Sequence, residues 1–295
     1  MNIKKWLKQN THSLKGKTVA ITGSTGGLGG EICKILASLN ARLVLLNRNE
    51  EKTQIQIEEL KTRYPNLQIK FVKTDMQNIE SVKQTCLKLN HQEIDILILN
   101  AGAFNLPRKK SSLGYDNVFQ INFVSAYYLT KKLLSQLQSR PDSKVVVVGS
   151  IAHAYAKLNS SDIDYSTEED VQKVYGNSKR FLMFSLYKLF ETEKHVKLSI
   201  THPGITLTGI TQNYKKIFLP IIKLSMKLLY MPPKKACLSI IKGVFDQTST
   251  GYWIGPERKN IWGYPKKRPL EVCSEQECED IFKIAEKIYA KLNNQ

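Results

Sequence analysis

A doubly wound α/β domain, built on one parallel sheet of about seven strands, is the fold this 295-residue sequence predicts. Three observations predict it. Short Val/Ile/Leu runs without alternation recur along the chain, as strands buried on both faces must read. Helix-length segments separate those runs, which implies right-handed crossovers. A glycine-rich turn, Thr22-Gly23-Ser24-Thr25-Gly26-Gly27-Leu28-Gly29, directly follows the first run and opens the first long helical segment.

In chain order, strands are expected at residues 18–22, 42–46, 68–72, 94–99, 144–149 and 197–201, with a weaker one at 251–254. Helices are expected at 28–39, 50–63, 78–90, 115–138 and 168–192. Residues 275–292 place Ile281, Ile284, Ala285, Ile288, Tyr289 and Leu292 at helical spacing with charges between, so an amphipathic helix should dock on the domain. No Pro/Gly/Ser-rich linker and no internal repeat divides the chain. One domain over 16–270 is expected, with a basic extension at 1–15 and the amphipathic helix at 271–295.

Apolar residues at 42% and charged residues at 24% rule out disordered, collagen-like and disulfide-scaffold classes. The formal charge of +18 suits an anionic partner, and equally a Lys-rich compositional bias. No helix-turn-helix, zinc or aromatic RNA-binding motif accompanies the charge, so nucleic acid is not an expected partner. The five cysteines match no metal spacing, and no metal is expected. Their odd count fits reduced thiols and a cytoplasmic compartment. No apolar run is long enough for a spanning helix, and residues 1–15 do not read as a signal peptide.

The turn at Thr22–Gly29 has the context a dinucleotide site requires. Glycine keeps the turn tight and lets the backbone approach a pyrophosphate. The helix that follows would present free N–H groups and a partial positive charge to the phosphates. Tyr175 and Lys179 stand four apart on one helix face. A phenol with an ordinary pKa of about 10 is a poor acid–base group at neutral pH, and a nearby ammonium favours its ionised form. Ser150 ends a strand at the edge where open α/β sheets bind ligands, so its hydroxyl could hold a reacting oxygen. His153 follows closely, as a pocket residue or as a capping or surface residue.

These motifs together resemble the short-chain dehydrogenase/reductase family, in order over roughly residues 16–255. The resemblance rests on TGxxxGxG at Thr22–Gly29, Asn100-Ala101-Gly102, Asn122, Ser150, the Tyr175–Lys179 YxxxK and His202-Pro203-Gly204. It looks closest to the retinol-dehydrogenase-like branch. It implies a Rossmann-type NADP-binding fold with Ser150, Tyr175, Lys179 and Asn122 catalytic, Asn122 organising a proton-relay water. It also implies cofactor contacts from Gly23, Ser24, Thr25, Gly27, Leu28, Gly29, Arg48, Asp75, Met76, Asn100, Ala101, Gly102, Tyr175, Lys179, Pro203, Gly204, Thr206 and Thr208.

NADP is expected over NAD, because Asn47-Arg48-Asn49 offers an Arg and no carboxylate at the ribose position. Asp75 could instead serve as a helix cap. The implied activity interconverts an alcohol and a ketone or aldehyde. A non-catalytic NADP-binding sensor or scaffold is the alternative, and the intact Ser150, Tyr175, Lys179 and Asn122 set favours the enzyme. A homo-oligomer is left open. Gly149 stands where relatives often carry a second Ser, and residues 162–170 read as an acidic surface loop. By resemblance, 205–235 forms a substrate lid. Within it, residues 214–235 set apolar bulk beside Lys, which suits either a lid folded on its own pocket or a membrane interface admitting a lipophilic substrate.

Overall fold

The computed structural model describes residues 2–205, 230–247, 251–271 and 273–294. The expected lid falls mostly outside them, as do Thr206 and Thr208. The strands are β1 (Thr18–Thr22), β2 (Arg42–Asn47), β3 (Ile69–Lys73), β4 (Ile96–Leu99), β5 (Lys144–Val148), β6 (Lys197–Thr201), β7 (Tyr252–Arg258) and β8 (Trp262–Pro269). They form one sheet in the order β3-β2-β1-β4-β5-β6-β7-β8, parallel throughout except for the β7–β8 hairpin. The order reverses direction beside β1, which opens a crevice at the carboxyl ends of β1 and β4.

Helices cover both faces because successive strand residues point to opposite sides. Val19 and Ile21 face one core, together with α1 (Ile3–Asn10), α2 (Gly27–Ser38), α3 (Glu50–Arg63) and α8 (Pro233–Phe245). Ala20 faces the other, with α4 (Ile79–Leu89), α6 (Ser125–Gln138), α7 (Val171–Glu191) and α9 (Glu275–Asn293). A short α5 (Asn117–Phe119) and a π turn (Gln120–Val124) lead into α6. Asn49, Asn78, Asp116, Asp170 and Ser274 cap their helices through side-chain oxygens. Helix α2 begins at Gly26 without a side-chain cap. Its first N–H groups therefore stay open at the crevice.

Four expectations change. Residues 1–15 are not a mere basic extension: α1 buries Trp6, and Leu14 N–H bonds Leu39 O at 2.7 Å. The sheet gains β8, whose two prolines and three basic residues suit an edge strand and hide it from an apolar-run reading. Cys273 and Cys278 form a disulfide instead of remaining reduced. Ser274 caps α9 and folds Cys273 back over the first turn, so their Cα atoms stand 6.1 Å apart, within disulfide reach. Residues 162–170 are not simply a surface loop. Asp164 is buried and accepts the Asp116 N–H at 2.5 Å.

Among the described residues no helix is long and apolar enough to cross a membrane. A cavity of about 350 Å³ lies at the amino ends of β1–β3, lined by Thr18, Arg42 and Ile69. That is the edge of the sheet opposite the crevice.

Candidate active site

The first turn is bolted to the end of β4. Thr22 Oγ1 accepts the N–H groups of Asn100 (3.0 Å) and Ala101 (2.9 Å), and Asn100 Nδ2 donates to the Thr22 and Gly23 carbonyls at 3.0 and 2.9 Å. Gly23 has φ +67°, and a Cβ on Gly29 would lie 2.5 Å from Gly23 O. Only glycine fits at both positions. Thr25, Gly26 and Gly27 are exposed around the open helix start, while Leu28 is buried and contributes backbone alone.

Ser24 is held from behind the turn by Asn47 and Gln56. Its N–H donates to Asn47 Oδ1 (2.7 Å), its hydroxyl accepts from Asn47 Nδ2 (2.7 Å) and donates to Gln56 Oε1 (2.8 Å), and its carbonyl accepts from Gln56 Nε2 (2.9 Å). A fully buried side chain so engaged braces the turn from behind. Asn47 and Gln56 are the residues sequence reading missed here. The sequence hint is a buried polar residue closing the apolar run 43–46 of β2.

Arg48 is exposed at the end of β2 and makes no hydrogen bond or ion pair among the described residues. Its neighbours Asn47 and Asn49 are committed to Ser24 and to the α3 cap. Asp75 is half-buried and does not cap α4, a role held by Asn78. Its Oδ1 accepts the Gln77 N–H at 3.0 Å. Met76 is buried, and its carbonyl accepts from Ser125 Oγ at 2.6 Å.

Asn122 lies in the π turn, a departure from α-geometry that is frequent at functional sites. Its amide closes on both groups of Ala103, accepting N–H at 2.7 Å and donating to O at 2.9 Å, and also donates to Ser178 Oγ at 2.9 Å. Ser178 Oγ in turn donates to Tyr175 O at 2.7 Å. The Asn122 side chain thus ties Ala103, which follows the Asn100–Gly102 stretch after β4, to α7. Ser178, inside the YxxxK stretch, escaped the sequence reading because its partner lies 56 positions away.

Ser150, Tyr175 and Lys179 converge at the crevice. Ser150 Oγ accepts the Ala152 N–H at 3.2 Å, and the Ser150 side chain stands beside the Tyr175 phenol. Burial pushes that phenol above its ordinary pKa, and the nearby Ser150 hydroxyl pulls it partly back. Lys179 is buried, its Nζ 5.8 Å from the Tyr175 ring centroid and donating to Val148 O at 2.9 Å. Burial lowers its pKa to about 8. Gly102 borders this ammonium: a Cβ there would lie 3.3 Å from Lys179 Nζ. Phe104 meets Tyr175 edge-on at 5.2 Å and forms one wall of the crevice.

His153 sits behind Ser150, buried between Phe184 and Trp253 with Nδ1 2.7 Å from Ser150 O, so it is neither pocket-lining nor a surface residue. Burial holds its pKa down. Pro203 and Gly204 follow β6, with Gly204 at φ +81° and Cβ space closed by Ile261 O at 2.6 Å. At Gly149, where relatives often carry a second Ser, a Cβ would lie 2.7 Å from Met183 Sδ and 3.3 Å from Thr201 O, so the position is closely packed. Gly176 packs so tightly on Ala152 O, in the 3₁₀ turn Ile151–Tyr155, that a Cβ would collide with that backbone.

Gly→Ala inside a helix ordinarily gains about 1 kcal/mol, whereas forcing a methyl into a packed backbone contact costs about 1–3 kcal/mol. The clash dominates because a carbonyl, unlike a flexible side chain, cannot swing away. Gly176→Ala is therefore expected to lower the urea midpoint. An unchanged or raised midpoint would contradict the packing described.

Comparison with known proteins agrees with this arrangement. The profile described as short chain dehydrogenase matches residues 17–217. The chain belongs to the short-chain dehydrogenase family. Its relatives within this oxidoreductase family place it in the retinol-dehydrogenase-like branch. Retinol dehydrogenase 12 of Mus musculus is 30% identical over 68% of this chain and 65% of its own length. Polyprenol dehydrogenase of Homo sapiens is 28% identical over 72% of this chain and 66% of its own.

Solved structures share the fold. The RhlG/NADP active-site complex of Pseudomonas aeruginosa has a TM-score of 0.61 at 20% identity, covering 80% of this chain and 93% of its own. L-sorbose reductase of Gluconobacter frateurii, complexed with NADPH and L-sorbose, has a TM-score of 0.62 at 17% identity, covering 80% and 91%.

Proposed function

We propose that this short-chain dehydrogenase interconverts an alcohol and a ketone or aldehyde with NADP(H), using Tyr175 as the proton donor and acceptor. The observation that carries the reading is the Tyr175 phenol with the Ser150 hydroxyl close by and the buried Lys179 Nζ 5.8 Å from its ring. Ser150 would hold the reacting oxygen against the phenol. Lys179 would lower the phenol pKa when protonated and reach ribose hydroxyls. Asn122 would hold the Asn100–Gly102 backbone in place and order a relay water.

The residues fit a dinucleotide. Exposed Gly26 and Gly27 leave a cradle that side chains would fill, at the uncapped start of α2. Gly23, Thr25, Leu28, Gly29, Asp75, Met76, Asn100, Ala101, Gly102, Pro203 and Gly204 would border it, whereas Ser24 only braces the turn. Bound there, the nicotinamide would supply or accept the hydride. Both solved neighbours described above carry NADP or NADPH, which supports the choice of dinucleotide.

The phosphate form follows from Arg48, uncommitted at the end of β2 with no carboxylate beside it. One charge-assisted contact to a 2′-phosphate is worth roughly 1.5–3 kcal/mol. Fluorescence titration should show tighter binding of NADPH than NADH, and Arg48→Ala should weaken NADPH binding roughly ten- to a hundredfold while sparing NADH. Equal affinity of the wild type for both would sink the NADP assignment. A lipophilic alcohol as substrate is supported by the edge-on Phe104 wall and by relatives named for retinol and polyprenol. Peripheral attachment to a membrane is a proposal resting on the 214–235 sequence pattern, of which residues 214–229 lie outside those described.

A further inference from the structure

Residue 180 follows the YxxxK lysine on α7, and its side chain leaves the crevice in the opposite direction. The guanidinium is buried and forms a two-pronged pair with Glu277 on the first turn of α9: Nε to Oε1 at 2.7 Å and Nη2 to Oε2 at 2.6 Å. Its third arm, Nη1, donates to His153 O at 3.1 Å. Glu277 Oε1 also accepts the Leu158 N–H at 2.8 Å. Both ends of the segment following Ser150 are thus held by one ion pair, at His153 and at Leu158. His153 passes the constraint on, because its Nδ1 meets Ser150 O at 2.7 Å. The Arg180 pair holds Glu277 below the usual carboxylate pKa, against burial that alone would raise it.

We infer that Arg180 and Glu277 are positioning residues for the reaction: through them the C-terminal helix fixes the 3₁₀ turn that aims Ser150 at Tyr175. The inference rests on the proposed function for its catalytic consequence and on geometry alone for the mechanical link. A two-pronged Arg–carboxylate pair suits this task because its planar fork fixes orientation as well as distance. Neither residue touches the cradle at α2, so dinucleotide binding should be untouched when the link is cut.

The test uses the full chain with three changes: Glu277→Gln, Glu277→Ala, and the paired Arg180→Met with Glu277→Leu. Removing one partner strands a buried charge and risks unfolding. Replacing both with apolar residues of similar size avoids that and still deletes the bonds to His153 O and Leu158 N. Hydrogen exchange should become at least tenfold faster at residues 153–158 in Glu277→Ala and in the paired variant, with β1 and β4 unchanged. NADPH affinity should stay within twofold. Turnover should fall at least tenfold with little change in KM, and Glu277→Gln, which keeps an acceptor for Leu158 N, should retain most of it.

Unchanged exchange at residues 153–158 overturns the mechanical link. Faster exchange with unaltered turnover overturns the positioning role. A wild type without NADPH-linked turnover on any alcohol or carbonyl sinks the proposed function instead, and the exchange rates still decide the link.

Discussion

Replacing Tyr175 with Phe is expected to cut turnover by roughly 10²–10⁴, the span that a positioned acid–base group typically contributes. The substitution removes one oxygen and keeps the ring, so the edge-on contact with Phe104 survives. Among the described residues no hydrogen bond of the fold depends on its hydroxyl, which has Ser150 nearby. Folding and NADPH binding should therefore be near wild type while chemistry fails. Single-turnover measurement of NADPH oxidation with a confirmed carbonyl substrate checks this. Wild-type rates in Tyr175→Phe would move the proton transfer to another group. Because burial raises the phenol pKa in the protein alone, the alcohol-oxidising direction should speed up as pH rises toward that value, and the ammonium of Lys179 should set where the rise begins.

Lys179→Met should show two effects of opposite sign. Turnover and NADPH affinity should both fall, the latter roughly ten- to a hundredfold if one charge-assisted bond to ribose is lost. The protein without cofactor should become more stable. In the fold the Lys179 pKa drops from 10.5 to about 8, so protonation costs stability below about pH 8. That cost is relieved as pH rises from about 8 to 10.5, where the unfolded chain holds the proton and the folded one does not. Wild-type stability should accordingly climb across that window, and less steeply in Lys179→Met. The climb should not vanish, because burial also lowers Lys144 to about 8. Urea midpoints measured from pH 7 to pH 10 decide it. A Lys179→Met protein less stable than wild type at pH 7 would contradict a desolvation-dominated lysine. A destabilising but functional charge at a site is a familiar trade of stability for activity.

Local rules made much of this legible. Apolar runs without alternation mark β1, β2, β4, β5 and β6 because a strand covered on both faces has no solvent side to advertise. The same rule fails at β8, where Pro265, Lys266, Lys267 and Arg268 belong to an edge that only the partner strand β7 makes a strand. It also fails for α1, whose basic residues mask a single anchoring Trp6. At the site, the Gly turn and the Tyr175–Lys179 pair are short-range patterns and so could be read. The bracing of Ser24 is not legible, because residue type does not show which way a hydroxyl faces. Asn47 and Gln56 claim it from positions 23 and 32 residues away.

The sequence alone therefore determined the parallel layered architecture, the glycine turn before α2, and the helix face shared by Tyr175 and Lys179. Each follows from spacing along a single element, where backbone periodicity dictates which side chains are neighbours. Tertiary structure decided the rest. Asn122 closes on Ala103 and Ser178, His153 is buried behind Ser150, and Arg180 reaches Glu277 across 97 residues. Such contacts depend on how helices pack over the sheet, and packing is set by the sum of many weak apolar contacts that no local spacing encodes.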